Sequence, residues 1–164
     1  MILKKKKYPL IFIVEDNIAY NKIVEFQLRS HEYTNIVSFI SGEDCIKNIY
    51  QRPDIIIQDY KLQGISGINV LQRFKKVLPR CEFIFLSGQD NVDIAVNTVK
   101  LGAFDYIVKN ETALQRLLQK VENIIEFQQL KKRNRHYKSA LYLSIFLFLI
   151  LVLVLFFTSD LNLF

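Results

Sequence analysis

A chain of 164 residues has room for one globular domain and an appendage. Its 22 Lys and Arg against 16 Asp and Glu give a formal +6, but the excess is terminal: Lys4–Lys7 and five basic residues between 131 and 138 leave 13 basic and 15 acidic residues from Tyr8 to Leu130. A mildly acidic body speaks against a nucleic-acid partner, and two cysteines 36 positions apart, Cys45 and Cys81, exclude a disulfide-stapled scaffold and a thiolate metal site.

Residues 1–8 read as a basic, solvated tail, and the body, 9–130, alternates strand and helix. Leu10–Val14 is a continuous apolar, β-branched run; after Glu15, Asp16 and Asn17, the residues Ile18, Ile23, Val24 and Leu28 predict a helix to about Ser30. Asn35–Phe39 predicts a second strand. Ser41, with Asp44 three residues on, resembles a helix cap, and the helix it opens is expected to reach about Tyr50. Ile55–Ile57 is a third buried strand ending at Gln58 and Asp59. Val70, Leu71 and Phe74 give Ile68–Val77 a helical stripe that Pro79 closes. Phe83–Leu86 is a fourth strand ending at Ser87; Asp90 is the expected cap of a helix to Leu101, with Gly102 at its left-handed C-terminal position. Tyr106–Val108 is a fifth strand followed by Lys109. A last helix is expected from about Glu111, with Leu114, Leu117, Leu118, Val121, Ile124 and Ile125 as its apolar stripe.

Beyond the body, 131–139 is a basic juxtamembrane segment and 140–158 is expected to be a transmembrane helix. Eighteen residues, Ala140–Phe157, carry no charge, and fifteen of them are Leu, Ile, Val or Phe. A helix of that length measures about 27 Å, close to the thickness of a bilayer's hydrocarbon core. Basic residues precede the span, whereas Asp160 and no Lys or Arg follow it, so the expected orientation is single-pass in the cytoplasmic membrane, body inside, with 159–164 a short translocated tail.

Five strand–helix units in about 120 residues predict an α/β doubly wound parallel sheet, because parallel strands need helical crossovers. Ligands of such sheets bind beyond the carboxyl ends of the strands. The residues there form a set: Glu15 and Asp16 after the first strand, Asp59 after the third, Ser87 after the fourth, Lys109 after the fifth. Three converging carboxylates repel unless a cation joins them, and hard oxygen ligands suit Mg²⁺. The cation, the Ser87 hydroxyl and the Lys109 ammonium around a phosphoryl group would support its transfer to Asp59. No GxxxxGK[ST] and no GxGxxG is present, and neither His31 nor His136 follows a strand.

The segments IFIVEDN, IIIQDYKLQGISGINVL, FIFLSGQD and DIAVNTVKLGAFDYIVK resemble the receiver domain of two-component response regulators, over roughly Tyr8 to Leu130. The resemblance implies a flavodoxin-like (βα)5 fold, Asp59 as phospho-acceptor, Glu15, Asp16, Asp59 and the Lys61 carbonyl as Mg²⁺ ligands, Ser87 and Lys109 holding phosphoryl oxygens, and Ser87 with Tyr106 as a coupled switch. It implies a phospho-acceptor rather than an enzyme in the usual sense, fed by a sensor histidine kinase or phosphotransfer protein and acting on an unnamed downstream protein; a continuous helix from about Glu111 towards Phe157 adds a homodimer as a further option, though its stripe is more simply the face packed on the sheet. Two of the family's usual prolines are replaced, by Gln63 and by Asn110; Gly88 stands where alanine is common; Lys61 and Gln89 occupy positions that tune acyl-phosphate hydrolysis in similar domains. The expected function is a membrane-anchored single-domain response regulator; the alternative is a phosphate-independent adaptor of the same fold at the membrane.

Overall fold

The computed structural model describes residues 9–161; within the last helix the side chains at 132, 134–136, 138–140, 147–149 and 151–161 lie outside that description. The basic tail 1–8 and the end of the tail 159–164 therefore fall outside it as well. Five strands, β1 (Ile11–Val14), β2 (Ile36–Phe39), β3 (Ile55–Asp59), β4 (Glu82–Ser87) and β5 (Asp105–Val108), form one parallel sheet in the order β2-β1-β3-β4-β5. The helices are α1 (Ile18–Ser30), α2 (Gly42–Lys47), α3 (Gly67–Val77), α4 (Val92–Lys100) and α5 (Ala113–Leu161). This is the flavodoxin-like order, and its strand direction of travel reverses between β1 and β3, which is where such sheets open a crevice.

Burial explains why the central strands lack polar alternation. β1 and β3 are buried at every position and β4 at all but its first, as helices on both faces require, whereas the edge strand β2 has no fully buried residue. Phe12, Phe74, Phe83 and Phe85 fill one face, each fully enclosed side chain contributing about 1.5–3 kcal/mol. The α5 stripe meets the expectation at Leu117, Leu118, Val121 and Ile124, joined by Ala113. Both cysteines are free and buried, and burial pushes the Cys45 thiol up to about 12, so it is inert at neutral pH.

Several boundaries differ from the sequence reading, each for a local reason. The second helix stops at Lys47, and a 3₁₀ turn, Ile49–Gln51, takes the chain to Arg52 in the left-handed region (φ 56°). Asn91, not Asp90, caps α4: its Oδ1 accepts from the N–H groups of Asp93 and Ile94 at 2.9 and 3.2 Å. α5 begins at Ala113 rather than Glu111, because Asn110 Oδ1 accepts from the Thr112 N–H and hydroxyl at 3.1 and 3.0 Å and turns the chain first. Strands β3 and β4 each run on far enough to include Asp59 and Ser87 themselves.

The chain divides into two compact units at Ile124 and Ile125. In the second, α5 runs to Leu161, and the Lys131 ammonium lies 4.1 Å from the centre of the Phe127 ring. Among the described residues no helix is long and apolar enough to cross a membrane. The fold thus does not show the transmembrane helix expected at 140–158, a segment that falls mostly on side chains outside the description.

Candidate metal and phosphoryl site

The strand ends bring the predicted residues together. Glu15 and Asp16 follow the last residue of β1, and Asp59 ends the neighbouring β3, so three carboxylates meet in the β1–β3 crevice. One oxygen from each lies within 4.8 Å of the others. Glu15 and Asp59 are buried, and Asp16 is half-buried. Burial, reinforced by the Asp59 charge at Glu15 and by the Asp16 charge at Asp59, holds the Glu15 and Asp59 carboxyls above the usual carboxylate range, although Lys109 pulls both the other way.

Lys109, carried past the end of β5, reaches two of the three: its Nζ lies 2.6 Å from Glu15 Oε2 and 3.4 Å from Asp59 Oδ1. Its main chain is fixed by an N–H bond of 2.7 Å to the Ser87 carbonyl. The described residues contain no cis peptide, so the Lys109–Asn110 bond is trans and the ammonium still arrives at the site. The Tyr20 ring of α1 lies beneath it, 4.4 Å from Nζ to the ring centre.

Ser87 is fully buried at the end of β4, one residue beyond the Asp59↔Leu86 pair. Its Oγ accepts from the Gln89 N–H at 3.0 Å. Tyr106 is buried and donates from its hydroxyl to the Gln89 carbonyl at 2.8 Å. The Gln89 peptide therefore links both residues expected to form the switch. Tyr60, next to Asp59, stacks edge-on against Tyr106 with ring centres 6.1 Å apart. Lys61 is exposed in the β3–α3 loop, and its main-chain N–H favours the charged form of Asp59. A Cβ on Gly88 would meet nothing within 4 Å, so that flank is open.

The donor set fits a hard divalent cation. All ligand atoms are carboxylate oxygens, and Glu15 Oε1 is buried with no hydrogen-bond partner, which one added cation would satisfy. The arrangement can therefore gather a cation, a nucleophilic carboxylate, a hydroxyl donor and an ammonium around one small tetrahedral group.

Four contributors lay outside the sequence reading. Gln63, in a proline's usual place, donates its main-chain N–H to Asp16 Oδ2 at 3.3 Å, a bond that proline cannot make. Tyr20 gave no signal beyond its place on α1. Asn21 and Gln58, two buried amides, bond the carbonyls of Glu15 and Asp59. They had a legible signature, since each is a polar residue inside an apolar run: Asn21 on the stripe with Val24 and Leu28, Gln58 after three isoleucines.

Residues 11–122 match the family model described as response regulator receiver domain. Over 136 residues the chain is 31% identical to a Rickettsia felis protein named as an NtrX-like response regulator, covering 80% of this chain and 28% of that one. It is 31% identical to the transcriptional regulatory protein AfsQ1 of Streptomyces coelicolor, over 62% of this chain and 44% of the relative. The chain thus spans less than half the length of these curated relatives. Among solved structures, NtrX from Brucella abortus superposes with a TM-score of 0.67 at 28% identity, over 75% of this chain and 28% of that one. A response regulator receiver domain protein from Clostridium thermocellum gives 0.67 at 25% identity, over 73% and 96%.

Proposed function

The chain belongs to the response regulator receiver domain family, and from that premise we propose that it takes a phosphoryl group from a sensor histidine kinase or phosphotransfer protein onto Asp59. The observation that carries this is the convergence of Glu15, Asp16 and Asp59 to within 4.8 Å with the Lys109 ammonium at two of them. In the transfer an Asp59 carboxylate oxygen attacks phosphorus. The P–O bond to Asp59 forms as the P–N bond to the donor imidazole breaks; that nitrogen keeps the electron pair and takes up a proton. Glu15, Asp16, Asp59 and the Lys61 carbonyl would hold a divalent cation, Mg²⁺ in the family, and when bound it would supply positive charge to offset the phosphoryl oxygens. Lys109 and Ser87 hold the remaining oxygens, Lys109 as a charge that exchanges its carboxylate partners for the phosphoryl group and Ser87 through its hydroxyl.

The output reading is protein contact rather than catalysis. Phosphorylation would shift an equilibrium at the Ser87–Gln89–Tyr106 latch and so the α4–β5 surface beside it. Support for a membrane anchor at 140–158 comes from the charge-free run Ala140–Phe157 and from Leu141, Tyr142, Leu143, Ile145 and Phe146, all exposed large apolar side chains. The basic segment 131–139 before it favours a receiver facing the cytoplasm. Incubation of the detergent-solubilised chain with Mg²⁺ and acetyl phosphate tests the transfer. One phosphoryl unit should appear by intact mass on wild type and none on Asp59→Asn; equal labelling of both would remove Asp59 as acceptor. Carbonate washing of membranes tests the anchor: release of the chain would remove it.

A further inference from the structure

Two buried side-chain amides do the same work beneath the carboxylate cluster. β1 and β2 pair for the last time at Val14↔Phe39, so the Glu15 carbonyl lies one residue past that ladder. β1 and β3 pair for the last time at Val14↔Gln58, so the Asp59 carbonyl lies one residue past the second. In each case an amide NH₂ takes over where the ladder stops. Asn21 Nδ2 donates to the Glu15 carbonyl at 3.2 Å and to the Phe39 carbonyl at 3.2 Å. Gln58 Nε2 donates to the Asp59 carbonyl at 3.2 Å.

Both amides leave their own oxygen stranded. Asn21 is 3% exposed and Gln58 0%, and Asn21 Oδ1 and Gln58 Oε1 are buried without a partner. An unpaired buried acceptor costs about 1–3 kcal/mol, which offsets most of the roughly 1 kcal/mol net worth of each bond made, two by Asn21 and one by Gln58. The neighbouring buried positions, Val24 and Leu28 on α1 and Ile56 on β3, are apolar. The fold therefore gains little net stability from either amide. What they share is their target, the main chain of two residues whose side chains meet at one point.

We propose that Asn21 and Gln58 are positioning residues of the divalent-cation site, fixing the main chain of Glu15 and Asp59 so that their carboxylates stay within coordinating distance of one another. This rests on the reading that Glu15, Asp16 and Asp59 hold such a cation. Removing either amide moves the unpaired group from a side chain to the main chain of the ligand residue. The fold tolerates that exchange; the aim of the carboxylate does not.

The test uses the full chain in detergent, as wild type, Asn21→Leu, Gln58→Met and, as a packing control on the same α1 stripe, Leu28→Ala. Each is melted in EDTA and titrated with Mg²⁺ alone by calorimetry. The amide variants should melt no more than about 5 °C below wild type and bind Mg²⁺ at least about tenfold more weakly, the range found when groups that orient metal ligands are removed. Leu28→Ala should melt lower and keep the wild-type affinity. Amide variants that bind Mg²⁺ as wild type does, or that melt more than about 5 °C lower, would assign both residues to the fold and overturn the inference. A wild type that shows no Mg²⁺ binding would instead overturn the cation reading on which it rests.

Discussion

Replacing Asp59 by asparagine should stabilise the metal-free chain while abolishing its phosphorylation. One oxygen from each of Glu15, Asp16 and Asp59 lies within 4.8 Å of the others, so at an effective dielectric constant of about 20 each repulsion on Asp59 is about 3.5 kcal/mol. Against these stands one attraction, to Lys109 at 3.4 Å, of about 5 kcal/mol on the same scale. The repulsions win by about 2 kcal/mol, and solvent around half-buried Asp16 trims this to about 1–2 kcal/mol. Desolvation of the buried Asp59 carboxylate adds in the same direction, being the largest cause of its raised pKa. Asparagine keeps the shape and drops the charge. In EDTA at pH 7 the variant should melt about 3–8 °C above wild type by circular dichroism. The gap should close as pH falls through the raised Asp59 pKa, where wild type becomes neutral too. Saturating Mg²⁺ should reverse the order, because a ligand at a hundred times its Kd stabilises wild type by about 2.7 kcal/mol and the variant has lost a ligand oxygen. A variant that melts below wild type in EDTA would refute the claim that uncompensated negative charge dominates this site.

The pH dependence of metal binding follows from the same burial. Glu15 and Asp59 have folded-state pKa values above their ordinary ones, so between the two values the folded chain holds more protons than the unfolded chain, and the metal-free fold loses stability as pH rises through the folded values. Mg²⁺ must displace those protons. Its affinity, measured by calorimetry in two buffers of different ionisation heat, should rise with pH across that window with proton release and then level off; an affinity that is flat with pH would count against protonated carboxylates. Lys109→Met should act oppositely to Asp59→Asn. It strips Glu15 of a 2.6 Å ion-pair partner in a place where Glu15 is 3% exposed, and should cost about 3 kcal/mol in urea unfolding at pH 7 in EDTA. The loss should shrink at lower pH as the carboxylates protonate; a pH-independent loss would point to packing of the lysine stem on Tyr20 instead.

Much of the architecture is legible in the chain because local rules and tertiary structure agree. Parallel strands buried on both faces must be continuously apolar, and such runs at 10–14, 55–57 and 83–86 stand out without any model. Short crossovers then force the residues after each run to one edge, so Glu15, Asp16, Asp59, Ser87 and Lys109 can be grouped before any distance is known. Asp90 and Asn91 are both good caps, and only the observed path of the chain shows that Asn91 accepts the two N–H groups of α4.

The order of residues along the chain was enough to say where the five strands and their following α-helices lie in the body, which strand ends face the site and which chemical groups stand there, because alternation and burial are local or nearly so. Tertiary structure alone decided that Lys109 bridges Glu15 and Asp59, that Tyr20 lies beneath it, and that the Gln63 N–H reaches Asp16 across 47 positions. It also decided that Asn21 and Gln58 complete hydrogen bonding exactly one residue beyond the last strand pairs. These contacts depend on where neighbouring strands stop relative to one another, a register that no single segment carries in its own sequence.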